Sequence, residues 1–548
     1  MFRNHAMFVI LMMVLESCSS SVQHQTSGDL DIAVVPGGPV IFFVDVSAGP
    51  KHGGPSNLGV PIAIFGKGFG ATRGTSTVTI GGIEVAKYVL WGQNNAHNTQ
   101  LDMIVVQPGL NIVSGAIQVK VNSRLSNRNH TFTVNTGKIY AISKTGLNSN
   151  PCTLSSPCAT ILHVIDTHMQ PGDTLLVRGG NYDESEIWVR KSGLAGSPIT
   201  IKNYPGEKVT LSNAARGFLL DADYLTVSGL NFTNGKSLGI MGWTKRHQRN
   251  NQLINNTFKG IIAYDAIGSH GNNHLIAGNV CEVGGSTQGT QGHCYYISYG
   301  KNVRLLYNKA SGAPGYGIHV FDQCREYKPD PANPNERICD TSRDFQRIIS
   351  NILIEGNLLM SSPQRSGLLL AMNDEGNLNN YIDNVTIRNN ILIGNNHAGI
   401  VVGGISRNVK IYHNTFYQNG RQGIQIYNDN NINGVDIRNN LIDQTTNSNC
   451  QNNCSWYPVA HIQKGVNAQN IIVDHNFYMP APPILIDTMD ANASSGNAAF
   501  VNPSSFDFHL RASSPAINQG TTVPVVRDFD GQRRPADSNH DPGAFEYR

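Results

Sequence analysis

The sequence predicts an all-β chain whose bulk is a solenoid of stacked coils. Three observations predict it. First, a short alternating pattern that closes on Asn recurs: Asn273-His-Leu-Ile-Ala-Gly-Asn279, Asn302-Val-Arg-Leu-Leu-Tyr-Asn308, Asn351-Ile-Leu-Ile-Glu-Gly-Asn357 and Asn384-Val-Thr-Ile-Arg-Asn-Asn390. It continues as Asn408-Val-Lys-Ile-Tyr-His-Asn414, Gly434-Val-Asp-Ile-Arg-Asn-Asn440 and Asn470-Ile-Ile-Val-Asp-His-Asn476. The closing Asn returns at intervals of 29, 49, 33, 24, 26 and 36 residues, a fixed motif on a loose period. That is the signature of coils joined by loops of variable length. Second, a Gly-led strand lies between the Asn motifs: Gly317-Ile-His-Val-Phe321, Gly367-Leu-Leu-Leu-Ala371, Gly399-Ile-Val-Val-Gly403 and Gly423-Ile-Gln-Ile-Tyr427. Third, charged residues make up only 14% of the chain while Gly is abundant.

One coil cannot bury its inward side chains, whereas a stack buries them in a continuous core. Asn tolerates the tight left-handed bend of a coil corner, and its amide can bond to the Asn of the next coil. The expectation is therefore a ladder of Asn at one corner. An antiparallel sandwich with Asn-rich turns has no reason to keep Asn in register. Two or three strands per coil with Asn corners resembles a right-handed parallel β-helix, the fold of pectate lyases and their relatives.

Taken in order, residues 1–18 read as a targeting segment. Arg3 and His5 precede the apolar run Met7 to Leu15, and Leu15-Glu-Ser-Cys18 follows. This resembles a bacterial lipoprotein signal, which implies lipidation of Cys18; Glu16 departs from the usual small or apolar residue. An ordinary secretory signal is the alternative, and the run is too short for a spanning helix. Residues 19–36 read as a tether. Residues 37–135 read as a small all-β module: Gly59-Val-Pro-Ile-Ala-Ile-Phe-Gly-Lys-Gly-Phe-Gly70, Ser76-Thr-Val-Thr-Ile-Gly-Gly82, a Pro108-Gly109 turn, and Gly115-Ala-Ile-Gln-Val-Lys-Val121. These stretches resemble an immunoglobulin-like IPT/TIG β-sandwich, which implies a spacer or a binding module.

The solenoid is expected over 137–490. Helical spacing at Ala159-Thr-Ile-Leu-His-Val-Ile-Asp166 suits a helix over the open first coil. The opening Pro171-Gly-Asp-Thr-Leu-Leu-Val-Arg-Gly-Gly-Asn-Tyr182 leads to Gly196-Ser-Pro-Ile-Thr-Ile201. It resembles the first coils of polysaccharide lyases of the chondroitinase B and alginate lyase type, a likeness that specifies fold better than chemistry. Residues 491–548 read as a C-terminal cap. Here Ala512-Ser-Ser-Pro-Ala-Ile-Asn-Gln-Gly520 and Asp541-Pro-Gly-Ala-Phe-Glu-Tyr547 resemble a tail common on secreted β-helix proteins.

The nine Cys support export. With Cys18 set aside, they fall into close pairs: Cys152 with Cys158, Cys281 with Cys294, Cys324 with Cys339, and Cys450 with Cys454. An even, locally paired set in an exported chain reads as disulfides. Zinc ligation is the competing reading, but the spacings fit it poorly. A net charge of +3 and the lack of a basic, aromatic-interleaved run argue against nucleic acid as a partner. A membrane would be reached only through the lipid anchor, and a monomer is the default. The localisation expected is the bacterial cell envelope, at the outer membrane or cell surface, or secretion.

Candidate chemistry comes from strand alternation. Aligning the second strands puts Tyr295/Ile297, Ile318/Val320, Leu368/Leu370, Ile400/Val402 and Ile424/Ile426 inward. It puts Tyr296/Ser298, His319/Phe321, Leu369/Ala371, Val401/Gly403 and Gln425/Tyr427 outward. His293, Tyr296, His319 and Asp322 then fall on adjacent coils as catalytic candidates. Trp243, Lys245, Arg246, Arg325, Gln425 and Tyr427 are candidates for holding a sugar chain. Aromatic faces stack on sugars, and cations pair with uronate carboxylates. Tyr296 and His319 suit β-elimination, in which one group removes the proton beside the carboxylate and another protonates the leaving oxygen. Asp322, Asp374 and Glu375 suit glycoside hydrolysis instead. Asp374 and Glu375 alternatively offer oxygen ligands to Ca2+. His397 and His413 read as ladder or surface residues. The Glu-x-x-x-Lys-Ser segment of chondroitinase B-type lyases, the Asp-Pro-His-Asp of mannuronan epimerases and the paired Asp strands of polygalacturonases are all absent, so no family's catalytic residues carry over. The leading expectation is an exported lyase on an acidic, uronate-containing polysaccharide. The alternatives are a non-catalytic glycan- or protein-binding surface protein and a β-helix glycoside hydrolase.

Overall fold

The computed structural model describes residues 37–548 apart from 93–95, 185, 213–216, 234–239, 242–247, 261–264, 284–291, 324–326, 330, 332–336, 340–346, 374–378 and 445–458. From Ile139 onward the chain winds through parallel strands that pair coil upon coil in three sheets. The alternation of the Asn motif explains the first sheet. Leu305, Ile354, Ile387, Ile411, Ile437 and Val473 stand in one hydrogen-bonded register and are all buried. Along the Gly-led strands, Tyr295, Ile318, Leu368, Ile400, Ile424 and Ile462 form a second inward column. Both columns belong to one continuous core. A short helix, Ile161–Thr167, buries Ile161, Val164 and Ile165 at the N-terminal end.

The corner chemistry differs in detail from the expected one. The closing Asn is not the left-handed residue; the residue before it is. Asn255, Gly278, Tyr307, Gly356, Asn389, His413, Asn439 and His475 have φ between 52° and 69°. The motif-opening residues Asn273, Asn302, Asn351, Asn384, Asn408 and Asn470 are left-handed as well. Freed from the bend, the closing Asn side chains turn inward and form the buried ladder. The Nδ2 of Asn308 donates to Asn357 Oδ1 at 3.0 Å, Asn357 to Asn390 at 2.9 Å, and Asn390 to Asn414 at 2.9 Å. The run ends where Asn476 donates to Asp490 Oδ2 at 2.9 Å. Each ladder Oδ1 also takes a backbone amide from its neighbour, as Asn357 does from Asn308 at 2.9 Å. A polar column can therefore cross an apolar interior with its groups satisfied.

The left-handed corner residues point the other way and carry the rest of the molecule. Residues 40–135 form two facing sheets, a β-sandwich, whose Phe42 stacks on Tyr307 with ring centroids 4.1 Å apart. Phe43 lies against Gly278, where an added Cβ would come within 2.9 Å of the ring. Asn98 Nδ2 donates to the Tyr307 carbonyl at 2.7 Å. The C-terminal tail runs back along the same flank. Tyr307 Oη donates to Phe529 O at 3.2 Å, Asn389 Nδ2 to Arg527 O at 2.8 Å, and Asn439 Nδ2 to Thr521 O at 2.6 Å. Sandwich, coil corner and tail share one apolar cluster. A buried ion pair adds to it: Lys202 Nζ of the solenoid lies 2.6 Å from Asp45 Oδ2 of the sandwich. One flank of the solenoid is thus covered, and the outer face of the Gly-led strands lies on another.

In place of the four disulfides expected, the described residues carry two, joining Cys152 to Cys158 and Cys281 to Cys294. The expected bond of Cys324 with Cys339 is not among them. Cys339 ends the strand Arg337–Cys339, but its expected partner Cys324 lies outside the described residues. The expected bond of Cys450 with Cys454 is not among them either, because Cys450 and Cys454 both lie outside the described residues, as does Cys18.

Candidate functional site

The Gly-led strands place the candidates. Tyr296 on Tyr295–Lys301 pairs with His319 on Ile318–Gln323, which pairs in turn with Leu369, Val401, Gln425 and Gln463. The parity of this column was legible, although Leu369, Ala371 and Val401 are buried in a cluster of their own and Ser298 departs from the column. A bulge at Ser269/His270 shifts the register, and Ser298 is buried with its hydroxyl 2.8 Å from the His270 ring.

His293 and His319 sit deeper than a solvent-facing groove implies; both are less than a tenth exposed. Tyr296, Tyr316 and Phe321 surround His319 with ring centroids 5.0, 4.8 and 4.8 Å away. Gly315 makes the room, since a Cβ there would lie 2.2 Å from His293 Nδ1. The hydrogen bonds fix the tautomers. The Tyr316 amide donates to His293 Nδ1 at 2.9 Å, so the His293 proton is on Nε2. That nitrogen is 3.0 Å from His319 Nδ1, which must accept and leaves the His319 proton on Nε2. The His319 Nε2–H is buried and has no hydrogen-bond partner among the described residues. Burial holds the His293 pKa down at about 3, helped by the Arg365 charge. Burial, with His293 and Arg365, holds His319 well below its ordinary value. At neutral pH the pair is uncharged and offers one N–H donor.

Asp322 is a correction. It has inward parity, pairs in register with Met372, and is buried with its carboxylate 3.4 Å from the equally buried Arg347 Nε. The expectation of a groove-facing acid fails because the alternation that turns His319 outward turns Asp322 to the interior. Asp265 was missed. Its carboxyl is buried, accepts the His293 amide at 3.4 Å, and is pushed up to about 7 by desolvation. No sequence signal marks it, since it precedes its strand in an unremarkable stretch.

Beside the cage lies a groove of about 1200 Å³. Its lining includes Gln364, Arg365, His397, Arg421, Gln425, Tyr427 and Gln463. Gln425 and Tyr427 stand where expected. Arg365, His397 and Arg421 come from the turns before the Gly-led strands, and the half-buried His397, expected as a ladder or surface residue, lines the surface of the groove. Arg365 joins cage to groove, because its charge bears on His293, His319, Tyr316 and His397 alike. Leu369 and Val401, outward by parity, are buried in a small apolar cluster with Phe321 and Tyr316 packed against it.

Trp243, Lys245, Arg246, Arg325, Asp374 and Glu375 lie outside the described residues. Among the described residues the metal-type cluster is Cys152, Cys158, His163 and His168, and its two cysteines are joined to each other. No described set of acids therefore fits a cation beside the histidine cage.

Residues 140–282 match a family model described as a Pel9A-like, right-handed β-helix region. Among curated proteins, the uncharacterized protein YwoF of Bacillus subtilis (strain 168) is 32% identical over 90 residues, 16% of this chain. The match spans 18% of that relative's length. Among solved structures, pectate lyase Pel9A is similar at a TM-score of 0.49 and 16% identity, covering 76% of this chain and 97% of that one. A rhamnogalacturonan lyase is similar at 0.33 and 14% identity, over 66% and 87% of the two chains. A GH136 lacto-N-biosidase from Eubacterium ramulus is similar at 0.33 and 11% identity, over 65% and 67%.

Proposed function

We propose that this chain is a polysaccharide-active β-helix protein that cleaves a uronate-containing glycan by β-elimination. The observation that carries the reading is Arg365, a guanidinium on the groove wall whose charge reaches the buried His293–His319 pair. Elimination needs a cation at the uronate carboxylate so that the adjacent proton becomes removable, and Arg pairs with carboxylates in a two-pronged geometry. In this reading Arg365 holds the carboxylate and the neutral His319 donates a hydrogen bond through Nε2–H to the leaving oxygen while keeping its proton. Tyr296, half-buried beside His319, takes the proton from carbon as its phenolate and passes it to the leaving oxygen. His293 fixes the tautomer of His319 as a positioning residue. Gln425 and Tyr427 hold the sugar chain, with Trp243, Lys245, Arg246 and Arg325 assigned to the same task. Ca2+ held by Asp374 and Glu375 is a separate proposal on which no step above depends.

The match of residues 140–282 to a Pel9A-like region supports the polysaccharide class. A binding protein is the second reading, favoured by the low basicity of both histidines in the cage. The test is incubation of the purified chain with alginate, pectate, chondroitin, hyaluronan and heparin, with calcium and with chelator, followed by ultraviolet absorbance of unsaturated uronate ends. One substrate is expected to give a rise that falls ~100-fold in His319→Ala. New reducing ends without absorbance would establish a hydrolase, and retention on a glycan without any product would establish the binding protein.

The sandwich is proposed as an IPT/TIG-type module, and the chain as an exported lipoprotein anchored through Cys18. Incorporation of labelled fatty acid, lost in Cys18→Ser, tests the anchor.

A further inference from the structure

A cavity of about 300 Å³ lies where sandwich, solenoid and tail meet, and it shares no lining residue with the groove. Lys309 and Leu358, paired in register, form its solenoid wall, on a different sheet from the Gly-led strands. The sandwich supplies Gln100. The Gln100 amide donates to Asn98 Oδ1 at 3.2 Å, and Asn98 in turn is anchored to the Tyr307 carbonyl at the coil corner. Gln100 Oε1 is buried and has no hydrogen-bond partner among the described residues. A buried acceptor without a donor is costly, so it marks a place for one. The tail supplies Phe506, which is 38% exposed. Its φ of 62° is one that a bulky side chain rarely adopts. The charged groups of the lining are already paired. Lys67 Nζ lies 3.4 Å from Asp530 Oδ1, and Lys309 Nζ 3.4 Å from Glu282 Oε1. His509 sets Nδ1 2.6 Å from Asp507 Oδ1 and Nε2 2.9 Å from Asp530 Oδ2. Carboxylates only accept, so the His509 ring carries a proton on each nitrogen.

We propose that this cavity is a non-catalytic carbohydrate site, separate from the groove, that takes the end of a neutral sugar chain. A charged ligand would have to break one of the ion pairs. An apolar ligand would leave Gln100 Oε1 without a donor and strip water from the paired ions. A neutral sugar does neither. Its hydroxyls donate to Gln100 Oε1 and to the remaining lone pairs of Asp507, and they accept from the lysine ammoniums, which carry three N–H each. One face of a ring stacks on Phe506. Ligand cavities span about 300–1,000 Å³ and favour domain junctions; this one is at the small end, which suits a chain end rather than a long run of sugars. A chain held here raises the local concentration of its own polysaccharide at the groove. The site stands whether or not the groove cleaves a uronate chain.

The test is saturation-transfer NMR of the full chain with three neutral disaccharides, cellobiose, xylobiose and lactose, and with acidic digalacturonate as competitor. At least one neutral disaccharide is expected to bind, and digalacturonate should not displace it. Phe506→Ala and Gln100→Leu should each weaken that binding tenfold or more, while Phe506→Tyr, which keeps the aromatic face, and Arg365→Ala, in the groove, should leave it unchanged. Gln100→Leu removes a buried oxygen that has no partner, so its melting midpoint should not fall, which separates lost binding from lost folding. Binding of none of the three neutral disaccharides, indifference of binding to both Phe506→Ala and Gln100→Leu, or displacement by digalacturonate would overturn the proposal. Binding lost in Arg365→Ala would place the sugar in the groove and overturn it as well.

Discussion

Asn357 shows what a single residue contributes to the stack. Its Nδ2 donates to Asn390 Oδ1 and Leu305 O, and its Oδ1 accepts from the backbone and side chain of Asn308. Asn357→Ala removes one rung and leaves buried groups on both neighbouring coils without partners. At ~1–3 kcal/mol for each unmet buried group, a loss of about 3–5 kcal/mol is expected in urea denaturation. A loss below 1 kcal/mol would mean the ladder is ornament. The histidine pair gives a second test. In the unfolded chain His takes a proton near 6.5, but His293 in the fold takes one only near 3. Between those values the unfolded state binds more protons, so stability is full above pH 6.5 and falls as pH drops. At pH 5 His293 alone accounts for about 2 kcal/mol of that fall. Imidazole resonances of His293 and His319 should keep their neutral-form positions down to pH 5; protonation of either above pH 5.5 contradicts the hydrogen-bond chain. Asn was legible at this scale because its repeat is in register. Asp265 was not, since a buried acid looks no different in sequence from a solvated one.

Period-two alternation made the strand faces legible, and the inward columns and Tyr296, His319, Gln425 and Tyr427 follow from it. The errors arise where alternation is interrupted or overextended. The bulge at Ser269/His270 turned Ser298 inward, and Asp322 was credited to a face its parity excludes. The basic side chains of the groove were missed for another reason. Arg365, His397 and Arg421 belong to turns, and turns carry no pattern until the backbone hydrogen bonds between coils align them.

For the whole molecule, sequence divides the chain into modules but says little about how they meet. The left-handed corners proved to be the meeting place, because a residue forced outward by the bend offers its side chain to whatever lies against it. Lys202 and Asp45 are far apart in sequence, and nothing marks them as partners. In the fold Lys202 also donates to Pro61 O at 2.8 Å, and Asp45 accepts from Ser228 and the Ala63 amide. Lys202→Met would leave Asp45 charged, buried and without its cation, at a cost of about 3–5 kcal/mol. Thermal denaturation of the full chain should show that loss; an unchanged midpoint would mean the sandwich is not held by this pair.

The central claim is that Arg365 neutralises a uronate carboxylate next to the His293–His319 pair. Its most direct test is the rate of unsaturated-end formation by the wild type and by Arg365→Ala, on whichever acidic glycan the wild type cleaves. A fall of ~100-fold or more in kcat/KM, with the fold intact by circular dichroism, is the predicted result. Equal rates in the two proteins would contradict it and move the chemistry away from this groove.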